Sequence, residues 1–335
     1  MGNDKVTIDS IAQALGCSKT TVSRAISGKG RVSKETRKRV LDYCREYGYR
    51  SGSVSKAFDC SRTYNLAAVL PADQELQEIP FFPTCLFGIC EWAAKQDYNV
   101  FVVSIEKNRL TQLQKIIEKR KIDGVILMRA LVEDSAVEYL LRNKIPFVQI
   151  GDTKNASTIH VDHDSVRACK EMTEFLLERE IQRIALIGGD MGNIVTQKRL
   201  AGFYAGFTLF HKVPKDKLIY LNCDTNAKVY EAVEQIVENC AECIVCMDDK
   251  ICTQVLKKLD KMRILIPRDL EIVSFYDSLA LQNYSPTITA LKFDEEELGR
   301  IACEKLIDRL ENGGEESILL TEYSMELRES TKKII

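Results

Sequence analysis

Residues 6–28 read VTIDSIAQALGCSKTTVSRAISG, a pattern that predicts two short helices joined by a tight turn. Thr7 is a residue type that caps helices, and the first helix then has an apolar face made of Ile8, Ile11, Ala12 and Leu15. Gly16 suits the left-handed backbone conformation that ends a helix. Ser18 can cap the second helix, whose inward face is Val22, Ala25 and Ile26.

The outward face of the second helix carries hydroxyls and cations, at Lys19, Thr20, Thr21, Ser23 and Arg24. Side chains of these types contact phosphates and base edges in a DNA major groove. Residues 1–62 hold thirteen Lys and Arg against six Asp and Glu, whereas the rest of the chain holds 34 against 43. A basic head on an acidic body suits a polyanionic ligand at one end. The alternative is a small solvated helical hairpin without a ligand.

A third helix is predicted after Ser33, which can cap it together with Thr36. Its buried face is expected at Val40, Tyr43, Cys44 and Tyr47, and Gly48 ends it. The segment 51–63 that follows is polar and contains glycine, so its own helical tendency is marginal. The sequence therefore predicts a small helical head followed by a linker.

From Tyr64 onward, short apolar runs alternate with helical patterns. Strands are predicted at 66–70, 100–104, 124–128 and 146–150, and helices at 87–96, 111–120 and 133–143, with further alternation from 165 to 275. Such alternation is typical of a doubly wound parallel sheet. Because about 270 residues exceed a usual single domain, we expect two lobes. A ligand cleft should lie between the ends of their strands.

Membrane, secreted and enzymatic classes find no support in the sequence. Residues 1–20 have no apolar core segment, and no run approaches the roughly twenty apolar residues of a membrane span. We therefore expect a cytoplasmic protein with no membrane partner, whose twelve cysteines stay reduced. No P-loop, nucleophile elbow or dinucleotide-binding glycine motif occurs. We predict no catalytic residues and no cofactor.

Cys240, Cys243 and Cys246, with Cys252 beyond them, raise the question of a metal site. Cys243 and Cys246 lie three residues apart on a predicted strand, so they should point to opposite faces. We interpret them as small buried hydrophobic residues and predict no metal site. The segment from 160 to 164, which contains two of the three histidines, is interpreted as a hinge and capping region.

The head and a series of body motifs resemble the lactose-repressor (LacI) family of bacterial transcription regulators. The residues that carry the resemblance are the run 6–24, Val32-Ser33-x-x-Thr36-Arg37, Tyr47-Gly48-Tyr49, Pro80-Phe81-Phe82, Arg199-Leu200-Ala201-Gly202-Phe203, Asp248-Asp249 and Ser285-Pro286-Thr287. Their order spans the whole chain. The resemblance implies an all-α helix-turn-helix head (1–50), a hinge (51–63) and an α/β periplasmic-binding-protein-like body. That body would have two doubly wound parallel-sheet lobes, 64–162 plus 292–323 and 163–291 plus 324–335.

For the head, the resemblance implies a DNA-binding surface. The second helix would lie in the major groove, where Lys19 and Thr20 would read bases and Arg24 would contact DNA at the helix's far end. Other implied DNA-binding residues are Thr7, Ser18, Thr21, Ser23, Ser33, Tyr49 and Val54, of which Ser18, Thr21, Ser23 and Ser33 would hold phosphates.

For the hinge, the resemblance implies a helix that forms on the operator. Phe58 would then wedge into a minor-groove base step; the alternative is that Phe58 docks on the body. Gly52 and the neighbouring serines lower the helix propensity, so we expect the hinge to be disordered without DNA.

For the body, the resemblance implies a small effector in the cleft, held by Phe81, Phe82, Arg129, Arg199, Asp248, Lys250, Tyr276 and Asp277. Several positions depart from the family pattern. Tyr276 stands where an acid usually occurs, and Gly151 stands where an Asp often follows the strand. Met128, followed by Arg129, occupies an often polar position, and Lys250 adds a further cation. These departures suggest an anionic or phosphorylated carbohydrate or a related metabolite. The alternative is that Tyr276 and Met128 serve only in packing.

The resulting prediction is a homodimeric DNA-binding transcriptional regulator, most simply a repressor of carbohydrate metabolism. It would bind a pseudo-palindromic double-stranded operator, with helices near 84–96 in the dimer interface. A solute-binding protein of a transporter shares the lobed body, but the basic head and the missing signal segment count against it. A regulator controlled by a partner protein would use basic residues of the first lobe, namely Lys107, Arg109, Lys115, Lys119, Arg120 and Lys121.

Overall fold

The computed structural model describes residues 7–27, 32–47, 62–72, 79–107 and 109–331. Residues 1–63 and 64–335 form two separate compact units, the head and the body. The described part of the head contains helices α1 (Ile8–Leu15), α2 (Lys19–Ser27) and α3 (Lys34–Glu46).

Short-range capping defines the ends of the head helices. The Thr7 side chain accepts a hydrogen bond from the Ser10 N–H in a capping box, and Gly16 has the left-handed φ of 61° that the sequence predicts. Ser18 and Ser33 accept from the N–H groups of the residues three positions later, each at 3.1 Å. These caps confirm the predicted helix starts.

The three head helices share a small apolar core, composed of Ile11, Ala12, Val22, Ala25, Ile26, Val40 and Cys44. The prediction for Tyr47 was wrong, because its side chain is 52% exposed. It follows the last turn of α3 and stacks on Tyr43, with ring centroids 4.4 Å apart, instead of entering the core. The predictions for Gly48, Tyr49, Val54 and Phe58, and nearly all of the hinge, lie outside the described residues.

The described body contains twelve strands, β1 (Asn65–Pro71), β2 (Asn99–Ile105), β3 (Gly124–Leu127), β4 (Phe147–Ile150), β5 (Ile159–His163), β6 (Ile184–Ile187), β7 (Ile219–Tyr220), β8 (Cys243–Cys246), β9 (Glu271–Ser274), β10 (Thr289–Lys292), β11 (Ile318–Leu320) and β12 (Ser324–Glu326). Its helices are α4 (Phe81–Lys95), α5 (Thr111–Glu118), α6 (Ser135–Arg142), α7 (Ser165–Glu178), α8 (Ile194–Thr208), α9 (Asn226–Glu238), α10 (Asp249–Met262), α11 (Leu279–Gln282) and α12 (Glu295–Asn312).

The strands form two six-stranded sheets, with orders β11-β5-β4-β3-β1-β2 and β12-β10-β9-β8-β6-β7. All pairings are parallel except that of β12 with β10. The chain leaves the first sheet after β5, returns to it after β10, and crosses again between β11 and β12. We call the part of the body around each sheet a lobe. The predicted class, a helical head and a two-lobed α/β body, is confirmed.

The helices cover the sheets and create the hydrophobic cores. In the first lobe, α4 and α12 pack against each other and beside β1, β3 and β4, with Ile89, Leu298 and Leu306 in the core. In the second lobe, α7 and α8 pack together on one face of the sheet. The helices α9 and α10 pack together on the core of the opposite face. The helix predicted at 87–96 in fact begins at Phe81, directly after Pro80.

Candidate functional site

The exposed face of α2 is the first candidate site. Val22, Ala25 and Ile26 are buried, so helical geometry turns the remaining positions outward. Among the residues predicted to bind DNA, Lys19, Thr20, Ser23 and Arg24 are exposed and Thr21 is half-buried. The sequence therefore presents its cations and hydroxyls on one accessible surface.

Several of these head residues already have partners within the head. Ser18 caps α2, and its hydroxyl lies 2.8 Å from that of Thr21. The Lys19 ammonium is 2.9 Å from the Asp9 carboxylate, and both side chains are more than 60% exposed. Such exposed ion pairs contribute little stability, so an acceptor atom of a ligand can compete with Asp9 for Lys19.

The second candidate site lies between the lobes, around Arg199 of α8. Its Nη1 donates to the carbonyl of Met247, at the end of β8, over 2.7 Å. Its guanidinium carbon is 5.7 Å from the centroid of the Tyr276 ring, which follows β9. The Nε atom of Arg199 is buried and has no hydrogen-bond partner among the described residues. A donor in this state can bind an acceptor of a ligand.

Tyr276 is 7% exposed, and its hydroxyl is directed at the carboxyl of Glu295, the first residue of α12. Burial and then the neighbouring Glu295 raise the pKa of Tyr276 far above its usual range, so the hydroxyl stays protonated and donates. Burial also raises the pKa of Glu295. This contact joins the second sheet to a helix of the first lobe.

Asp248 and Asp249 differ in role although they are adjacent. Asp248 caps α10, accepting from the Ile251 N–H at 2.7 Å. Asp249 is 6% exposed, and burial followed by the charge of Asp248 raises its pKa to about 6. Arg199 acts electrostatically in the opposite direction on Asp249. Asp249 and Glu295 are thus carboxyls of this site that the sequence-based set did not include.

Only the acidic pair Asp248-Asp249 gave a sequence signal that could have identified Asp249. Glu295 lies in a run of four acids, Asp294 to Glu297, that looks like an ordinary solvated helix start. Its half-buried position beside Tyr276 depends on the return of the chain to the first lobe.

The other residues predicted to bind the effector lie at separate places in the body. Phe81 packs against the cores of both lobes, whereas Phe82 is 6% exposed and belongs to the core of the first lobe. Arg129 follows β3 and lines a cavity of about 20 Å³ with Lys107, Leu131 and Asp134. Lys250 is the second residue of α10 and is half-buried. The carboxylate of Asp277 accepts hydrogen bonds from Arg328 and Gln282.

A third set of polar contacts joins the lobes beside Arg199. The preceding residue, Lys198, places its ammonium 2.7 Å from Asp162 and 3.2 Å from Asp152. Backbone hydrogen bonds also connect Leu131 and Asn193 as an isolated antiparallel bridge.

His163, at the end of β5, is 7% exposed and packs on Phe293 with ring centroids 5.0 Å apart. Burial lowers the pKa of His163 to about 4, against an opposing effect of Asp294, so the ring is neutral at neutral pH. The next residue, Asp164, caps α7, as predicted.

The cysteines of β8 lie in separate cores. Cys243 packs with Leu186 and Phe275, whereas Cys246 packs with Ile187 and Cys252 on the opposite face of the sheet. Within the described ranges, no group of three or more His, Cys, Asp or Glu side chains could hold a metal ion. None of the described helices combines the length and apolarity needed to cross a bilayer.

Comparison with known proteins adds two family matches. Residues 7–51 match the model for bacterial regulatory proteins of the lacI family, and residues 173–331 match a periplasmic binding protein-like domain. The HTH-type transcriptional regulator MalR of Streptococcus pneumoniae is 28% identical over 308 residues, 90% of this chain and 92% of MalR. Catabolite control protein A of Priestia megaterium is 24% identical over 98% of this chain and 99% of its own.

Among solved structures, the complex of the transcriptional regulator CelR with cellobiose has the same fold. The TM-score is 0.75 with 23% identity, over 97% of this chain and 100% of CelR. The match includes both the head and the body.

Proposed function

This chain belongs to the lacI family of bacterial regulatory proteins, and on that premise we propose that a small effector between its lobes sets the affinity of its head for operator DNA. The chain is a DNA-binding transcriptional regulator, and we propose that it acts as a repressor in the cytoplasm. The observation that carries the proposal is the exposed face of α2, where cations and hydroxyls lie opposite the buried Val22, Ala25 and Ile26.

In the proposed complex, α2 lies in the major groove of each half-site. Lys19 and Thr20 contact base edges, and Arg24 contacts DNA near the helix end. Hydroxyls of the caps and of α2 hold phosphates, which position the head without reading sequence. The net positive charge of residues 1–62 attracts the duplex, and the acidic body limits binding elsewhere.

We propose that the effector binds around Arg199, Tyr276 and Asp249. The sequence suggested an anionic effector because Tyr276 and Gly151 stand where acids are expected and Lys250 adds a cation. In the folded chain, the Tyr276 hydroxyl is hydrogen-bonded to Glu295, Arg199 lies beside the ring, and Asp249 is close enough to act on the hydroxyl electrostatically. Two carboxyls and one guanidinium offer donors and acceptors to hydroxyl groups, and they disfavour a further negative charge. A neutral carbohydrate-like effector therefore fits better than a phosphorylated one.

Two measurements test this function on the full chain. Selection from a random duplex pool should enrich a pseudo-palindrome, and no enrichment would contradict the DNA-binding role. Calorimetric titration should then compare neutral mono- and disaccharides with their phosphates. We expect a neutral sugar to bind and to change operator affinity; tight binding of phosphates alone would restore the anionic alternative.

A homodimer is part of the proposal. The side chain of Phe87 on α4 is 70% exposed, and Phe101 and Val102 on the edge strand β2 are 41% and 56% exposed. Exposed apolar side chains on neighbouring elements are typical of an interface, and a two-fold dimer matches a pseudo-palindromic site. Sedimentation should give a dimer, and Phe87→Glu should weaken it.

Control by a partner protein is the second candidate function. It is favoured by the exposure of all six basic residues named for it, from Lys107 to Lys121. Pull-down from cell extract with the full chain, compared with a variant in which Lys119, Arg120 and Lys121 are replaced by Ala, would separate this function from metabolite control.

A further inference from the structure

We propose that residues 130–132 of the first lobe and 192–194 of the second form a clasp, reinforced by Lys198, that holds the interlobe cleft shut and must break before an effector enters or leaves. The proposal concerns the regulation of the effector site and rests on the proposed function of that site.

Two backbone hydrogen bonds form the clasp. The Val132 N–H donates to the Gly192 carbonyl at 3.0 Å, and the Ile194 N–H donates to the Ala130 carbonyl at 3.1 Å. The segments therefore pair like one step of an antiparallel ladder, with Leu131 opposite Asn193. One segment follows β3 of the first sheet, and the other follows β6 of the second. The contact therefore joins the carboxyl ends of strands that belong to different lobes.

The segment of the second lobe is held in shape by its own lobe. The Asp190 carboxylate accepts from the Gly192 N–H at 2.7 Å, and Asn222 accepts from the Met191 N–H at 3.1 Å. Gln197 donates to the Met191 carbonyl at 3.0 Å. Because the segment is ordered in this way, the interlobe hydrogen bonds break as a pair when the lobes separate.

Lys198 extends the clasp by one helical turn. Ile194 and Lys198 are four residues apart on α8, so they lie on the same face of that helix. The Lys198 side chain is 15% exposed and reaches Asp162 and Asp152 in the first lobe. Burial alone would lower the pKa of Lys198, but these carboxylates outweigh it and raise the pKa, so the ammonium stays charged.

The clasp is coupled to the effector site through chain connectivity. Arg199 follows Lys198 directly, and its guanidinium is anchored on Met247. Movement of the first turns of α8 away from the first lobe therefore moves Arg199 relative to Glu295 and Phe81, which belong to helices of the first lobe.

The clasp can be tested by removing one of its donors. Ile194 is the first residue of α8, a position that tolerates proline, and Asn193 before it has the extended conformation that proline requires. Ile194→Pro removes the N–H to Ala130 while α8 keeps its hydrogen bonds. Ile194→Ala is the matched control, because it removes the side chain and keeps the N–H.

A second pair of variants tests the ion contact. Lys198→Gln removes the charge between Asp162 and Asp152. Lys258→Gln is its control. The Lys258 side chain is also 15% exposed and forms an ion pair, but its partner, Glu234, belongs to the same lobe.

The readouts are amide exchange of the full chain and its radius of gyration from solution scattering. In Ile194→Pro and Lys198→Gln we expect the Val132 amide to exchange at least about tenfold faster than in the native chain. Both variant proteins should also have a larger radius of gyration. The two control variants should change little in either measurement. Unchanged Val132 exchange, an equal increase in the controls, or faster exchange without a larger radius would each overturn the clasp. None of these readouts depends on DNA or effector binding, so a failed clasp leaves the proposed function standing.

Discussion

Arg328 holds both carboxylate oxygens of Asp277, through hydrogen bonds of 2.8 and 2.6 Å. The same guanidinium donates to the Ile288 carbonyl at 2.7 Å. The Asp277 side chain is 2% exposed and that of Arg328 is 17% exposed. This ion pair ties the segment after β12 to the segment after β9, and it engages both oxygens of the Asp277 carboxylate within the second lobe.

Arg328→Ala should destabilise the body strongly, because it leaves the Asp277 carboxylate buried without its cation. Loss of one partner of a buried pair typically costs about 3–5 kcal/mol. Chemical denaturation of the full chain measures the change. Lys95→Ala, which removes an exposed pair with Glu91, is the control and should cost less than about 1 kcal/mol. Equal losses in the two variants would mean that the Arg328 contact adds nothing specific.

Gly88 should not tolerate a side chain, because α4 and α12 approach each other closely there. A Cβ on Gly88 would lie 1.9 Å from the backbone oxygen of Glu296. Gly88→Ala should therefore separate the helices and cost about 1–3 kcal/mol or more.

Gly189→Ala is the matched control for Gly88→Ala, since the nearest atom to its Cβ would be 3.8 Å away. Thermal unfolding compares the two variants. Similar melting temperatures would show that the α4–α12 contact relaxes without cost.

Two buried groups should give opposite dependences of stability on pH. Folding raises the pKa of Asp249 from 3.8 to about 6, so this group stabilises the fold as the pH falls from 6 toward 4. Folding lowers the pKa of His163 from 6.5 to about 4, so this group destabilises the fold over nearly the same fall. Each shift corresponds to about 3 kcal/mol, and in the native chain the two largely cancel.

Replacing one of the two groups should reveal the pH dependence of stability that the other contributes. Asp249→Asn leaves the His163 effect, so its free energy of unfolding should decrease from pH 6.5 to 4 more steeply than that of the native chain. His163→Gln leaves the Asp249 effect. Its free energy of unfolding should therefore increase, relative to that of the native chain, as the pH falls from 6.5 to 4. Urea titrations at several pH values measure both slopes. Parallel curves for all three proteins would contradict the burial of these charges.

Arg24→Ala should weaken operator binding by about 1–3 kcal/mol and leave effector binding unchanged, because the head and the body are separate units. Fluorescence anisotropy with the selected operator and calorimetry with the effector measure the two effects. Lys38→Ala, an exposed cation on α3, is the control for charge alone and should weaken binding less. Loss of both activities in Arg24→Ala would show that the two units do not act as separate modules.

The head could be predicted in detail from the sequence because its structure depends on neighbours along the chain. Caps such as Thr7 and Ser18 act on N–H groups three residues away, and the apolar positions recur with the helical period. Tyr47 was mispredicted at the helix end, where the period no longer determines which side chain is covered. The alternation of strands and helices in the body was equally local, so the lobed α/β class could be predicted.

The candidate effector site was determined by the tertiary structure. Residue types and order along the chain identified Arg199, Tyr276 and Asp248, but not the partners that these side chains meet. Asp277 meets Arg328 51 residues later, Lys198 reaches back 36 residues to Asp162, and Glu295 reaches Tyr276 only because the chain re-enters the first lobe. Local sequence thus determined the helices, the strands and the exposed face of α2. The tertiary structure decided which groups of the cleft are charged and which contacts join the lobes. Both depend on which distant groups the fold brings together and removes from water.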